Sequence, residues 1–96
     1  MINIRYSKNS ISLKGHANYA PKGQDIVCAG ASAIFFGAAL SWFDKKDIEL
    51  YINCHDGINL DLKNKTKVNQ DKLNLMFKQL QQLAKNNKKY IKIIKE

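Results

Sequence analysis

Apolar and polar residues alternate through the opening stretch MINIRYSK, with Ile2, Ile4 and Tyr6 set against Asn3, Arg5 and Ser7. A period of two is that of a strand with one covered face. Lys8, Asn9 and Ser10 make a turn. ISLKGH then resumes the alternation, with Ile11 and Leu13 on one face and Ser12, Lys14 and His16 on the other, which predicts a hairpin ending near His16. In ANYAPKGQ the apolar period is lost, and Pro21 and Gly23 mark an exposed loop. Asp25 follows at the position of a helix N-cap or within the first turn of a helix.

From Ile26 to Phe43 eighteen residues carry no charge. That length reaches the lower edge of a bilayer span, and Ala29, Ala33, Gly37 and Ser41 form a stripe of small residues suited to close packing in a membrane or against a sheet. The residues favour a buried helix of a soluble protein. Many of them are small, the length leaves no margin for tilt, and the flanking amphipathic strands need a helix to cover them.

The clearest hairpin is DIELYINCHDGINLDLK, with Ile48, Leu50, Ile52 and Cys54 on one face, an Asp56-Gly57 turn, then Ile58, Leu60 and Leu62. A second helix runs from an N-cap at Asn69 to about Asn86, its apolar stripe made of Leu73, Met76, Phe77, Leu80, Leu83 and Ala84. KKYIKIIK supplies a final strand. The fold class predicted is α+β, in the order β-β-α-β-β-α-β, with a largely antiparallel sheet covered by two helices. At 96 residues the chain has the length of one domain, 1–96.

Charge changes the picture in one region. Residues 1–62 carry six basic and six acidic side chains, whereas residues 63–96 carry ten lysines against Asp71 and Glu96, so the last third holds the whole excess of +8. Such a face could attract RNA or an acidic partner by counterion release, or be simply a solvated lysine-rich surface. No arginine cluster, aromatic RNA-binding signature or Gly-rich phosphate loop accompanies it. Cys28 and Cys54 lack zinc-site spacing and are too few for a disulfide framework. With polar residues beginning at Asn3 and no cleavable signal in view, a reduced cytoplasmic compartment is expected, without metal, cofactor or membrane.

The segment GHANYAPKGQDIVCAGAS, residues 15–32, gathers His16, Cys28, the only proline and three of the five glycines. A nucleophilic cysteine needs a thiol favoured as thiolate, a base, and donors for the oxyanion. In the first turn of the long helix Cys28 would feel the positive end of the helix dipole, with backbone amides nearby as an oxyanion site. His16, at the end of a neighbouring strand, needs only a chain reversal to reach it. Asp25 either orients the imidazole or caps the helix. Ser32, one turn beyond Cys28, either supports the thiolate or a substrate carbonyl or bonds back to the Cys28 carbonyl. Against this stands the plain alternative of a small buried cysteine and a structural or exposed histidine. Cys54 and His55 make a weaker pair, since adjacent strand residues point to opposite faces; Cys54 reads as core and His55 as a turn-flanking surface residue.

The same segment closely resembles the signature of the bacterial ribosomal-processing cysteine protease family. Gly15, His16, Ala17, Ala20, Gly23 and the run Asp25-Ile26-Val27-Cys28-Ala29 with Ser32 match it in type and spacing. The resemblance implies a cytoplasmic, homodimeric endopeptidase that removes an N-terminal extension from a large-subunit ribosomal protein. Cys28 is then the nucleophile and His16 the base and acid, with Asp25 and Ser32 as possible supporting residues. The loop bearing Gly15, Ala17, Pro21 and Gly23 becomes a gate over the substrate, whose apolar segment lies in an extended groove or along a sheet edge. Gly30 and Ala31 depart from the bulkier pair expected after Cys-Ala. The reading from another class is a non-enzymatic module that binds ribosomal RNA or a ribosomal protein through the basic last third.

Overall fold

The computed structural model describes residues 1–21, 23–53 and 57–96. Strands β1 (Ile2–Ser7) and β2 (Ser10–Lys14) form the first hairpin, α1 spans Ile26–Ser41, β3 (Ile48–Asn53) and β4 (Gly57–Leu62) form the second hairpin, and α2 (Lys67–Lys85) leads to β5 (Ile91–Lys95). Among the described residues they make a five-stranded sheet of order β3-β4-β2-β1-β5. The sheet is largely antiparallel. The exception is β5, which returns through α2 to lie parallel to β1, pairing Ile4 with Ile93.

Alternation in the strands sets the layers. Ile4, Ile11 and Leu60 are fully buried in the core that Phe35 of α1 and Phe77, Leu73 and Leu80 of α2 complete. Tyr6 stacks on Phe77 with ring centroids 4.2 Å apart and offers its hydroxyl to Asn74 Oδ1 at 3.3 Å. Burial raises the Tyr6 phenol pKa. Asn3, Arg5 and Lys14 are exposed on the opposite face. Ser12 also points to that face yet is buried, because it sits in the central strand between its cross-strand partners Arg5 and Asn59.

Three expectations change. The second helix starts earlier, with Thr66 as N-cap: its hydroxyl accepts from the Asn69 amide at 3.2 Å, and Asn69 itself is buried, its side-chain amide donating to the Asn64 carbonyl. In the second hairpin Asn53 pairs with Gly57 and Ile52 with Ile58, so Gly57 belongs to β4 and is not the second residue of a two-residue turn. Gly57 has φ +101°, and a β-carbon there would meet the Leu13 carbonyl oxygen of β2. The expectations for Cys54, His55 and Asp56 lie outside the described residues.

The third change concerns α1. Val27, Ala31, Phe35, Ala38 and Ala39 are its buried side, whereas the small-residue stripe of Ala29, Ala33, Gly37 and Ser41 is exposed. An uncharged helix has no polar face to declare which side meets solvent. Among the described residues no helix is long and apolar enough to cross a membrane. Lys72 of α2 closes the C-terminal end, donating to the Trp42 carbonyl at 2.6 Å, where the helix dipole favours a cation.

Candidate active site

Two chain reversals bring the site together at the N-terminal end of α1. The first follows β2: Gly15 takes φ +89°, and a β-carbon there would collide with the carbonyl oxygen of Met1. Only glycine lets the chain leave the sheet at this angle. Asn18 then adopts a left-handed conformation at φ 56°, a state that asparagine tolerates better than most residues. The second reversal, in which the Gln24 amide donates to the Pro21 carbonyl at 2.9 Å, returns the chain to the helix start.

Asp25 is the anchor of that start. Its Oδ1 accepts from the amides of Val27 and Cys28, both at 3.0 Å, and its Oδ2 from the Tyr19 amide at 3.1 Å. One carboxylate thus caps α1 and ties the preceding loop to it. The Cys28 amide, foremost, holds the Asp25 carboxyl below its ordinary range; partial desolvation opposes this, while the Tyr19 amide, the Cys28 thiol and the Val27 amide reinforce it. The Tyr19 ring meets Tyr90 edge-on at 5.2 Å, giving the loop a second hold.

Cys28 is a half-buried free thiol in the first turn of α1. Its Sγ accepts a hydrogen bond from the buried Ala17 amide at 3.2 Å, so the residue next to His16 touches the candidate nucleophile. His16 is exposed and makes no hydrogen bond among the described residues, to Cys28 or to Asp25. Ser32 is exposed, and its hydroxyl does not bond back to the Cys28 carbonyl. The arrangement brings Cys28, Asp25, Ala17 and Tyr19 together and leaves Ser32 apart. Among the described residues no three His, Cys, Asp or Glu side chains converge as metal ligands.

The oxyanion site was expected at backbone amides near the helix start, and two of these, the Val27 and Cys28 amides, are already held by Asp25. The signal was present, because an N-cap side chain characteristically bonds the second and third amides of its helix. The amide aimed at the sulfur is that of Ala17, in the loop. The signature match includes Ala17, but a backbone amide's aim leaves no mark in the residue type.

A half-buried thiol at a helix N-terminus, a backbone donor aimed at it and a histidine on the same short loop are the parts of a cysteine hydrolase. The chain belongs to the cysteine protease Prp family, whose sequence profile matches residues 1–92. It is 36% identical to the ribosomal processing cysteine protease Prp of Mycoplasma pneumoniae over 92 residues, 95% of this chain and 91% of that protein. The corresponding protein of Mycoplasma genitalium is 49% identical over 53 residues, a match that spans 55% of this chain and about half, 52%, of that relative. In fold, the chain is similar to a crystal structure of an essential ribosomal processing protease Prp from S. aureus in complex with a covalently linked product peptide. The TM-score is 0.86 over 100% of both chains at 24% identity.

Proposed function

We propose that residues 1–96 form one cysteine protease domain that removes an N-terminal extension from a large-subunit ribosomal protein, with Cys28 as nucleophile and His16 as general base and acid. The observation that carries this is the hydrogen bond from the Ala17 amide to Cys28 Sγ. It brings the loop of His16 to the thiol in a chain whose family is that of a cysteine protease. Family membership favours this reading over a non-enzymatic RNA-binding module.

The reaction begins when His16 swings inward and takes the Cys28 proton. The thiolate attacks the scissile carbonyl, forming a C–S bond and an oxyanion. Because Asp25 holds the Val27 and Cys28 amides, the Ala17 amide, which points at the sulfur to which the new carbon is attached, is the donor for that oxyanion. Collapse breaks the C–N bond as the imidazolium protonates the leaving amine. Water, activated by His16, then hydrolyses the thioester and restores the thiol. Asp25 acts by holding Cys28 and Tyr19 in register, and the loop of Gly15, Ala17, Pro21 and Gly23 opens to admit the peptide.

The protein works in the cytoplasm as a homodimer, beside the ribosome whose protein it trims. Lys78, Lys85 and Lys88 line a groove of about 520 Å³ between α2 and β5, and this basic face supports weak contact with ribosomal RNA. The test is incubation with the N-terminal peptide of an extended large-subunit ribosomal protein, followed by mass analysis. Cleavage that is lost in Cys28→Ala and in His16→Ala is the expected result. An intact peptide under reducing conditions contradicts the proposal, as does salt-sensitive RNA binding as the sole activity.

A further inference from the structure

Among the described residues, three directed contacts tie the loop of His16 to the rest of the chain. The Ala17 amide reaches Cys28 Sγ at 3.2 Å, and the Tyr19 amide reaches Asp25 Oδ2 at 3.1 Å. Both of these end at the start of α1. The third comes from a distant part of the chain: the Tyr19 ring meets the ring of Tyr90 edge-on, with centroids 5.2 Å apart and planes at 83°. Tyr90 lies in the turn that joins α2 to β5.

That turn is a firm mount. Asn87 donates its backbone amide to the Ala84 carbonyl at 3.0 Å and its side-chain amide to the Leu83 carbonyl at 2.9 Å. Its own carbonyl accepts from the amides of Tyr90 at 2.9 Å and Ile91 at 3.1 Å, and the Tyr90 carbonyl accepts from the Ile2 amide at 2.8 Å. Both backbone polar groups of Tyr90 are therefore paired, its side chain is half-buried against the core, and the next residue, Ile91, is buried in β5. The loop is built differently. Asn18 keeps a left-handed backbone between the buried Ala17 and Tyr19, which is 46% exposed. A residue other than glycine stays in that conformation only where its surroundings hold it there. Ala17 supplies the hold on one side of Asn18, and Tyr19, seated on Tyr90, supplies it on the other.

We propose that Tyr90 is a positioning residue for the cleavage reaction: its ring seats Tyr19 and thereby keeps the Ala17 amide aimed at the thiol. The inference rests on the protease reading and adds to it a residue far outside the segment of His16 and Cys28. Tyr90 acts through Tyr19 and Ala17 and not by touching the sulfur. An edge-on ring pair is a modest contact in itself. Its leverage comes from the donor it places, because a displacement of about 1 Å in a reacting geometry can cost about a hundredfold in rate. The oxyanion forms only after attack, so a misplaced donor lowers kcat and leaves KM little changed.

The test measures kcat and KM on an extended ribosomal N-terminal peptide for the native chain, Tyr90→Ala, Tyr90→Phe, Tyr19→Ala and the Tyr19→Ala/Tyr90→Ala double variant, each checked for native circular dichroism. Tyr90→Ala is expected to lower kcat about tenfold with KM within about twofold of native. Tyr90→Phe is expected to keep native kcat, since the ring contact needs no hydroxyl. The double variant is expected to be no slower than Tyr19→Ala alone, the coupling of two residues that act through one contact. Native kcat in folded Tyr90→Ala overturns the proposal and leaves the protease reading intact. So does a Tyr90→Phe chain as slow as Tyr90→Ala, and so does a further loss when Tyr90→Ala is added to Tyr19→Ala, which would give Tyr90 a route that bypasses Tyr19. If Tyr90→Ala does not fold, Tyr19→Ala decides, and native kcat in that variant overturns the proposal. No cleavage by the native chain overturns the protease reading and the role of Tyr90 together.

Discussion

Helices α1 and α2 complete the same core, but their residues divide the labour differently. In α2 the buried side is Leu73, Met76, Phe77, Leu80 and Ala84, and the rest is largely lysine, glutamine and asparagine. In α1 the buried and exposed sides are made of the same small and apolar residues, and Ile26 is exposed as fully as Leu40. A helix that covers a sheet with one side is free to carry a polar back. The helix that presents the thiol keeps an apolar exterior.

Each helix contributes one large ring to the core. Phe35→Ala and Phe77→Ala remove fully or almost fully buried rings, one from each helix, and each is expected to destabilise by about 3–5 kcal/mol. Urea denaturation with an unchanged slope measures this. A much smaller loss for Phe35 would mean that α1 is less tightly packed than α2.

Gly15→Ala acts at the site end of the comparison. The new β-carbon meets the Met1 carbonyl and must adopt a left-handed backbone, a strain of order 1–3 kcal/mol. Relief requires the following residues to move, and these are His16 and Ala17. Cleavage is expected to fall by more than tenfold while far-ultraviolet circular dichroism stays native. Equal activity would show that the position of Ala17 is not critical.

Asp25 gives α1 a pH dependence that the Thr66 cap does not give α2. Its carboxyl is held below the ordinary range when folded, so its contribution is fully present above the unfolded pKa, ~4, and is lost as pH falls through the lower folded value. Thermal melts of the native chain and Asp25→Asn are expected to differ at pH 6 and to converge below pH ~4. A constant gap across that window would mean that the carboxylate charge does not matter to the cap.

The smallest effect lies on the exposed side of α1. A β-carbon at Gly37 meets no atom, and the backbone there is helical, so Gly37→Ala is expected to stabilise by about 0.5–1 kcal/mol. At Gly30 a methyl group would touch Leu83 at an ordinary contact distance of 3.5 Å. Space at Gly30 thus admits alanine. A loss of stability in Gly37→Ala would point to something packed against that face in solution.

How much of this was legible follows from the kind of signal each feature leaves. The strands and α2 alternate or repeat between unlike residues, and their order was readable. The face of α1 was not, since its residues are alike on all sides. Thr66 and Asn69 are both capping residues three positions apart, and only the backbone shows which one ends the helix. The parallel return of β5 depends on where α2 crosses, a tertiary matter. At the site, the spacing of His16 and Cys28 pointed to one place, while the part of Ala17 rests on a backbone amide that has no residue signature.

The proposed reaction depends on the thiol at the start of α1. The direct measurement is the rate of cleavage of an extended ribosomal N-terminal peptide by the native chain and by Cys28→Ala under reducing conditions, each checked for native circular dichroism. A loss of at least about a thousandfold is expected in the folded variant, the scale seen when a catalytic nucleophile is removed. Comparable cleavage by the folded Cys28→Ala chain would contradict it.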